Sequence, residues 1–88
     1  MERRLEMAGG GTLTLNREGA YVRLEAQRAA DGRGLYKVWL LGGQGRRVLA
    51  GTLAPEDGKL RLLRRLSVGQ LEQEGCWPVE GAEGVLDL

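Results

Sequence analysis

Ala20-Tyr21-Val22-Arg23-Leu24-Glu25-Ala26-Gln27-Arg28 is the stretch whose reading decides the fold class. Ala20, Val22, Leu24 and Ala26 alternate with Tyr21, Arg23, Glu25 and Gln27. Successive side chains of a strand point to opposite faces, so this pattern predicts a strand with one face in a core and one in water.

Outward from this strand the chain is punctuated by glycine, placed between apolar alternations rather than in a repeat. That placement reads as turns between strands. Upstream, Thr12–Leu15 forms a strand, and Asn16-Arg17-Glu18-Gly19 turns it back, with Gly19 supplying positive φ. Downstream, Asp31-Gly32 marks a turn. Leu35–Leu41 then places Tyr36, Val38 and Leu40 on one face and Leu35, Lys37, Trp39 and Leu41 on the other. Gly42-Gly43-Gln44-Gly45 reads as a flexible hairpin connection to a strand at Arg47–Leu53, with Leu49 and Leu53 inward. In Pro55-Glu56-Asp57-Gly58, Pro55 sets φ for the first central turn position and Gly58 takes the left-handed one. The strand Lys59–Leu66 follows, with Leu60 and Leu62 inward. Strict alternation there would turn Arg64 inward as well, which a bulge near Leu62-Leu63 would repair.

The pattern then changes. Ser67-Val68-Gly69-Gln70 fits a capping box with Ser67 at the N-cap, and Leu66 and Leu71 form the matching staple. Gly75 suits the residue after the C-cap. These signals predict a helix over Val68–Glu74, weakened by Gly69. Cys76-Trp77-Pro78 reads as an extended return, and Val85–Leu88 as a last strand. Residues 1–10 are an edge strand carrying Leu5 and Met7, or a loose segment. The expected fold is mainly β: an antiparallel meander of about six strands, closed as a small barrel or two-layer sandwich, with one short helix before the last strand. Residues 11–88 make one domain, which at this chain length buries only ~60–65% of its unfolded surface.

Composition narrows the chemistry. Thirteen basic and 12 acidic residues leave a net charge of +1, so no broad field attracts nucleic acid or an anionic membrane. Lysine occurs only at Lys37 and Lys59, and Phe, Ile and His are absent, as a GC-rich coding sequence would give. Part of the arginine content therefore reflects composition. Without His, neither His-based acid–base catalysis nor His-ligated zinc is available, and one cysteine, Cys76, builds no disulfide or Cys-rich metal site. Gly9-Gly10-Gly11 and the Gly42–Gly45 run lack the Lys-Ser/Thr ending of a phosphate loop. Glu56 and Asp57 suit a turn, and Glu72 and Glu74 lie two apart on the helix, off a common face. No catalytic residue, metal site or cofactor is expected. No apolar run is long enough to span a membrane, and the charged start lacks the apolar run of a signal peptide, so a cytoplasmic location is expected.

Symmetric hairpins would place Arg23 beside Trp39, Glu25 beside Lys37, Trp39 beside Val48, Ala50 beside Leu63 and Thr52 beside Arg61. The product would be an apolar strip, Trp39–Val48–Ala50–Leu63, rimmed by Arg23, Lys37, Arg61 and Arg65. It is either a second core layer under the helix or Trp77, or a surface for a protein partner or a second copy of the chain. Interfaces favour aromatic residues and Arg, which this inventory supplies. The alternative is a single-strand nucleic-acid surface of the small-barrel type, with Arg61, Arg64 and Arg65 beside Trp39 and Tyr21. The near-balanced charge disfavours it. Cys76 is expected to be a small buried hydrophobe beside Trp77.

Overall fold

The computed structural model describes residues 2–87. Met1 and Leu88, the latter an expected residue of the last strand, lie outside them. The elements are β1 (Glu2–Ala8), β2 (Thr12–Glu18), β3 (Tyr21–Ala29), β4 (Tyr36–Leu41), β5 (Arg47–Thr52), β6 (Ala54–Glu56), β7 (Lys59–Ser67), α1 (Val68–Gln73) and β8 (Gly81–Leu86). The strands run in the order β5-β4-β8-β1-β2-β3-β7-β6. The two ends of this sheet, β5 and β6, are separated in sequence by Leu53 alone, so the sheet curls into a nearly closed, mostly antiparallel barrel. The short helix precedes the last strand, as the sequence predicts.

Pairing departs from simple hairpin succession between β3 and β4. Nine-residue β3 pairs along its whole length with nine-residue β7, from Tyr21 opposite Ser67 to Ala29 opposite Lys59. β4 instead pairs with β5 and β8. The expected neighbours Arg23/Trp39 and Glu25/Lys37 are therefore not formed: Arg23 faces Arg65, and Glu25 faces Leu63. The physical reason lies in residues 30–35, which cross between strands instead of making a two-residue turn. Asp31 holds that crossing by accepting hydrogen bonds from the Arg33 N–H (3.0 Å) and the Tyr36 hydroxyl. At the start of the chain, β1 is no edge. Its residues 2–6 pair with β2, and Met7 and Ala8 pair in parallel with β8.

The β4–β5 turn is centred on Gln44 rather than between Gly43 and Gln44, which reverses the expected parity of Arg47–Ala50, and a register shift between Val38 and Trp39 restores it at Gly51 and Thr52. Trp39 faces Leu49, and Leu40 faces Val48, so the expected Trp39/Val48 pair is displaced by one residue. Ala50, expected on the surface strip, is buried, and Leu49, expected inward, is 44% exposed. β7 carries no bulge. Its unbroken register keeps Arg64 on the face of Leu60 and Leu62, where it stays exposed because it reaches the open seam. The seam is filled by side chains. A Cβ on Gly51 (φ +152°) would lie 3.1 Å from Leu62 Cδ1 and 3.5 Å from Arg64 Nη1. Arg61 pairs with Ala54 of β6 rather than with Thr52, and Ala50 has no partner in β7. Pro55 lies in β6, so the turn is made by Asp57 (φ 50°) and Gly58 (φ 78°). That two-residue turn with both φ positive matches strand twist.

The core is apolar throughout, with Leu13, Leu24, Leu40 and Leu53 inaccessible to solvent and no buried charged side chain among the described residues. The helix shuts one end of the barrel through Val68 and Leu71. Ser67 Oγ accepts from the Gln70 N–H at 3.3 Å, half of the expected capping box. Ser67 itself still lies opposite Tyr21 in the sheet. At the other terminus the Cys76 N–H donates to Leu71 O (2.9 Å) and the Gly75 N–H to Glu72 O (3.1 Å), with Gly75 left-handed. This is the double-bonded glycine stop that the sequence signals.

The Gly42–Gly45 connection is tighter than a flexible hairpin. Gly42 has an ordinary extended backbone, but a Cβ there would lie 2.1 Å from Gly75 O and 2.7 Å from Cys76 Cα. The helix return can cross the β4–β5 turn only because position 42 has no side chain. Gly42→Ala is expected to destabilise the fold by about 1–3 kcal/mol through overpacking against backbone. Gly69→Ala meets only Ser67 Oγ at 3.7 Å, and is expected to stabilise by about 0.5–1 kcal/mol. Urea denaturation midpoints check both. A Gly42→Ala midpoint equal to wild type would contradict the packing argument.

Candidate functional site

Three groups of side chains stand apart from the core: a polar cluster at the end of the barrel opposite the helix, and the outer faces of the two halves of the sheet.

The polar cluster builds from Arg28, the next-to-last residue of β3. Its guanidinium lies over the Tyr36 ring at 3.8 Å, donates to Gly9 O at 3.0 Å and reaches Asp31 at 3.4 Å. The Gly9–Gly11 turn takes positive φ at all three glycines. It is a close-packed turn: a Cβ on Gly11 would lie 2.5 Å from Gln27 O. The Tyr36 hydroxyl, then the Arg33 N–H, hold the Asp31 carboxyl below its ordinary range. The same hydrogen bond, followed by burial, raises the Tyr36 hydroxyl. No buried side-chain nitrogen or oxygen among the described residues lacks a partner, and the cluster serves to lock the β3–β4 crossing.

Cys76 is buried, as expected, and its thiol donates weakly to Leu40 O at 3.8 Å. Burial pushes the thiol up, and the Glu74 carboxylate adds to the rise. Among the described residues, no three His, Cys, Asp or Glu side chains gather as a metal-binding group. No described helix is long and apolar enough to cross a membrane.

The outer face of β5, β4 and β8 carries Trp39. Around it lie Leu49 (44% exposed), Val85 (42%) and, at the approach to β4, Leu35 (40%). Leu49 is opposite Trp39, and Val85 is opposite Lys37. The rim is charged with both signs. Arg47 stacks on the Trp39 ring at 4.3 Å and bonds Glu83 at 3.2 Å, and Lys37 reaches Asp87 at 3.6 Å.

The outer face of β1, β2, β3 and β7 lies across the barrel from it. One cross-strand row runs Glu2, Asn16, Arg23, Arg65, and the next runs Arg4, Thr14, Glu25, Leu63. A shallow groove of about 680 Å³ lies over these rows. Arg61 Nε donates to Glu25 at 2.7 Å and Arg61 Nη1 to Glu56 at 3.0 Å, so its charge is spent locally. Arg23 has Glu18 at 4.0 Å with both side chains exposed, and Arg65 lies over the Tyr21 ring at 4.3 Å.

The eight residues of the expected strip therefore divide three ways. Trp39 and Lys37 lie on one outer face, and Arg23, Arg61, Leu63 and Arg65 line the groove on the other. Ala50 belongs to the core, and half-buried Val48 packs against it. The sequence reading missed Val85 and Glu83, because the pairing of β8 with β4 joins residues 40 to 50 positions apart. Comparison with protein-family models, curated proteins and solved structures finds no match.

The latch carries a pH dependence with a definite sign. The lowered Asp31 carboxyl contributes stability above its unfolded pKa of about 3.9, lost as pH falls through that value toward the folded one. The raised Tyr36 hydroxyl contributes below about 10, lost as pH rises through its folded value. Tyr36→Phe is expected to melt below wild type at neutral pH, with the gap narrowing in acid below about 4 and in alkali above about 10. Thermal melts across pH check this, and a gap independent of pH would show that the bond does not form.

Proposed function

We propose that this chain is a non-catalytic protein-association domain, and that the outer face of β4, β5 and β8 joins two copies of it. One observation carries the reading: of the five large apolar residues left exposed among the described residues, three, Leu35, Leu49 and Val85, share the face that Trp39 occupies. Monomeric domains seldom leave such apolar positions together without use. An aromatic centre with apolar neighbours and a charged rim is the composition of a protein interface. The rim holds two cations and two anions, Arg47, Lys37, Glu83 and Asp87, already set as pairs. In a two-fold interface each patch meets itself, and a rim of both signs can exchange partners across the axis. The single buried cysteine suits a reducing, cytoplasmic setting.

Single-strand nucleic acid is the second reading, favoured by the arginines of the groove. That use needs rings on which bases stack. Trp39 lies on the far face, Tyr36 is buried, and Tyr21, though exposed, is stacked by Arg65 and lies off the groove lining.

Light scattering over a wide concentration range is expected to show a dimer. Trp39 fluorescence, read in a Trp77→Phe background, should lose quencher access as the dimer forms. Leu49→Glu is expected to weaken association by at least about tenfold, or roughly 1.4 kcal/mol. A wild-type protein that stays monomeric with Trp39 equally accessible at every concentration overturns the reading.

A further inference from the structure

We infer that the groove on the outer face of β1, β2, β3 and β7 binds an extended, acidic segment of a polypeptide partner, held by Arg23 and Arg65 with an apolar side chain seated on Leu63. The inference rests on the reading of this chain as a protein-association domain but concerns the opposite face.

The argument starts from a pairing that works against the fold. Arg23 and Arg65 lie directly opposite each other on β3 and β7. Like charges in that relation are destabilising. Stacking of Arg65 on Tyr21 and the long, exposed Arg23–Glu18 contact leave both guanidinium groups able to accept an anion. The neighbouring Arg61 shows the contrast, since two carboxylates of the chain already hold it. The open charge of the groove therefore centres on Arg23 and Arg65, with Arg64 also on its lining.

The next row identifies the class of anion. Leu63 is 56% exposed, the most accessible large apolar residue described, and it stands one row from Arg23 and Arg65. A ligand that satisfies both rows must carry negative charge and an apolar group a strand repeat apart. An extended peptide with an acidic residue two positions from an apolar one has that spacing. A polynucleotide fits less well. Glu2 and Glu25 also line the groove and would face its continuous phosphate chain, and no ring on the groove floor offers a stacking surface.

The test is fluorescence anisotropy of the full chain with three labelled probes of equal length: a peptide repeating Glu-Ser-Leu-Ser, which sets Glu and Leu two positions apart on one face, its counterpart with Lys in place of Glu, and an oligothymidylate. The Glu/Leu peptide is expected to bind, more weakly as salt rises. Arg23→Gln and Arg65→Gln should each weaken it by about tenfold, the loss of a charge-assisted hydrogen bond. Leu63→Glu should abolish it. Because Arg23 and Arg65 repel each other, Arg65→Gln should leave the melting temperature of the free protein level or raised. Its oligomeric state should not change, which separates failure here from failure of the dimer reading. The inference is overturned if the Glu/Leu peptide does not bind or binds the arginine variants unchanged. Oligothymidylate binding as well as or better than the peptide would overturn it in favour of polyanion or nucleic-acid binding. A fall in the melting temperature of Arg65→Gln would overturn it by making the arginine pair structural.

Discussion

The barrel depends on β1 changing partners at Met7. Its first residues complete an antiparallel sheet with β2, and Met7 and Ala8 pair in parallel with β8. It is the strand that belongs to both halves. The change of partner is possible because the chain turns at once through three glycines in positive φ, while the Met7 side chain enters the core. A side chain on Gly9 would approach Gly84 O to 2.8 Å, so the junction between the halves is a backbone-to-backbone contact. With β1 in place, β8 can bring β4 and β5 round toward β7. The residual seam is then filled by Leu62 and Arg64 lying over Gly51.

This route around the barrel sets the character of the two outer faces. The register of β3 against β7 brings Arg23 and Arg65 face to face. β4 and β8 carry Trp39 and Val85 between closed ion pairs. One face has open charge beside an exposed leucine. The other has open apolar surface beside charge that is already paired. A domain with a self-complementary apolar face and a separate face for acidic peptide would present two ligand grooves on each dimer. Such an arrangement can exceed the affinity of either site when both engage one partner.

The ends of the barrel are closed by different means. At one end the helix is stopped by Gly75, and its return lies on the bare backbone of Gly42. At the other, Arg28, Tyr36 and Asp31 tie the β3–β4 crossing to the glycine turn. Beside the helix closure, Gln44, Arg46, Glu72, Gln73 and Glu80 line an open polar hollow of about 410 Å³.

Local signals by themselves determined the strand at Tyr21–Ala29, the inward set Val22, Leu24, Val38, Leu40 and Leu60, the Ser67 cap and the Gly75 stop. Each is encoded within a few residues, by a period of two or by the backbone freedom of one glycine. They also set the β2–β3 and β4–β5 hairpins, but not the remaining neighbours. β3 chose β7 over β4, a turn centred on Gln44 put Leu49 outward and Ala50 inward, and Arg23 met Arg65 instead of Trp39. Those choices come from matching strand length, closing the seam and passing backbone over Gly42, and they involve residues far apart in sequence. Alternation along a strand tells which side chains share a face. Only closure of the barrel decides which faces become neighbours, and so which residues can form a site.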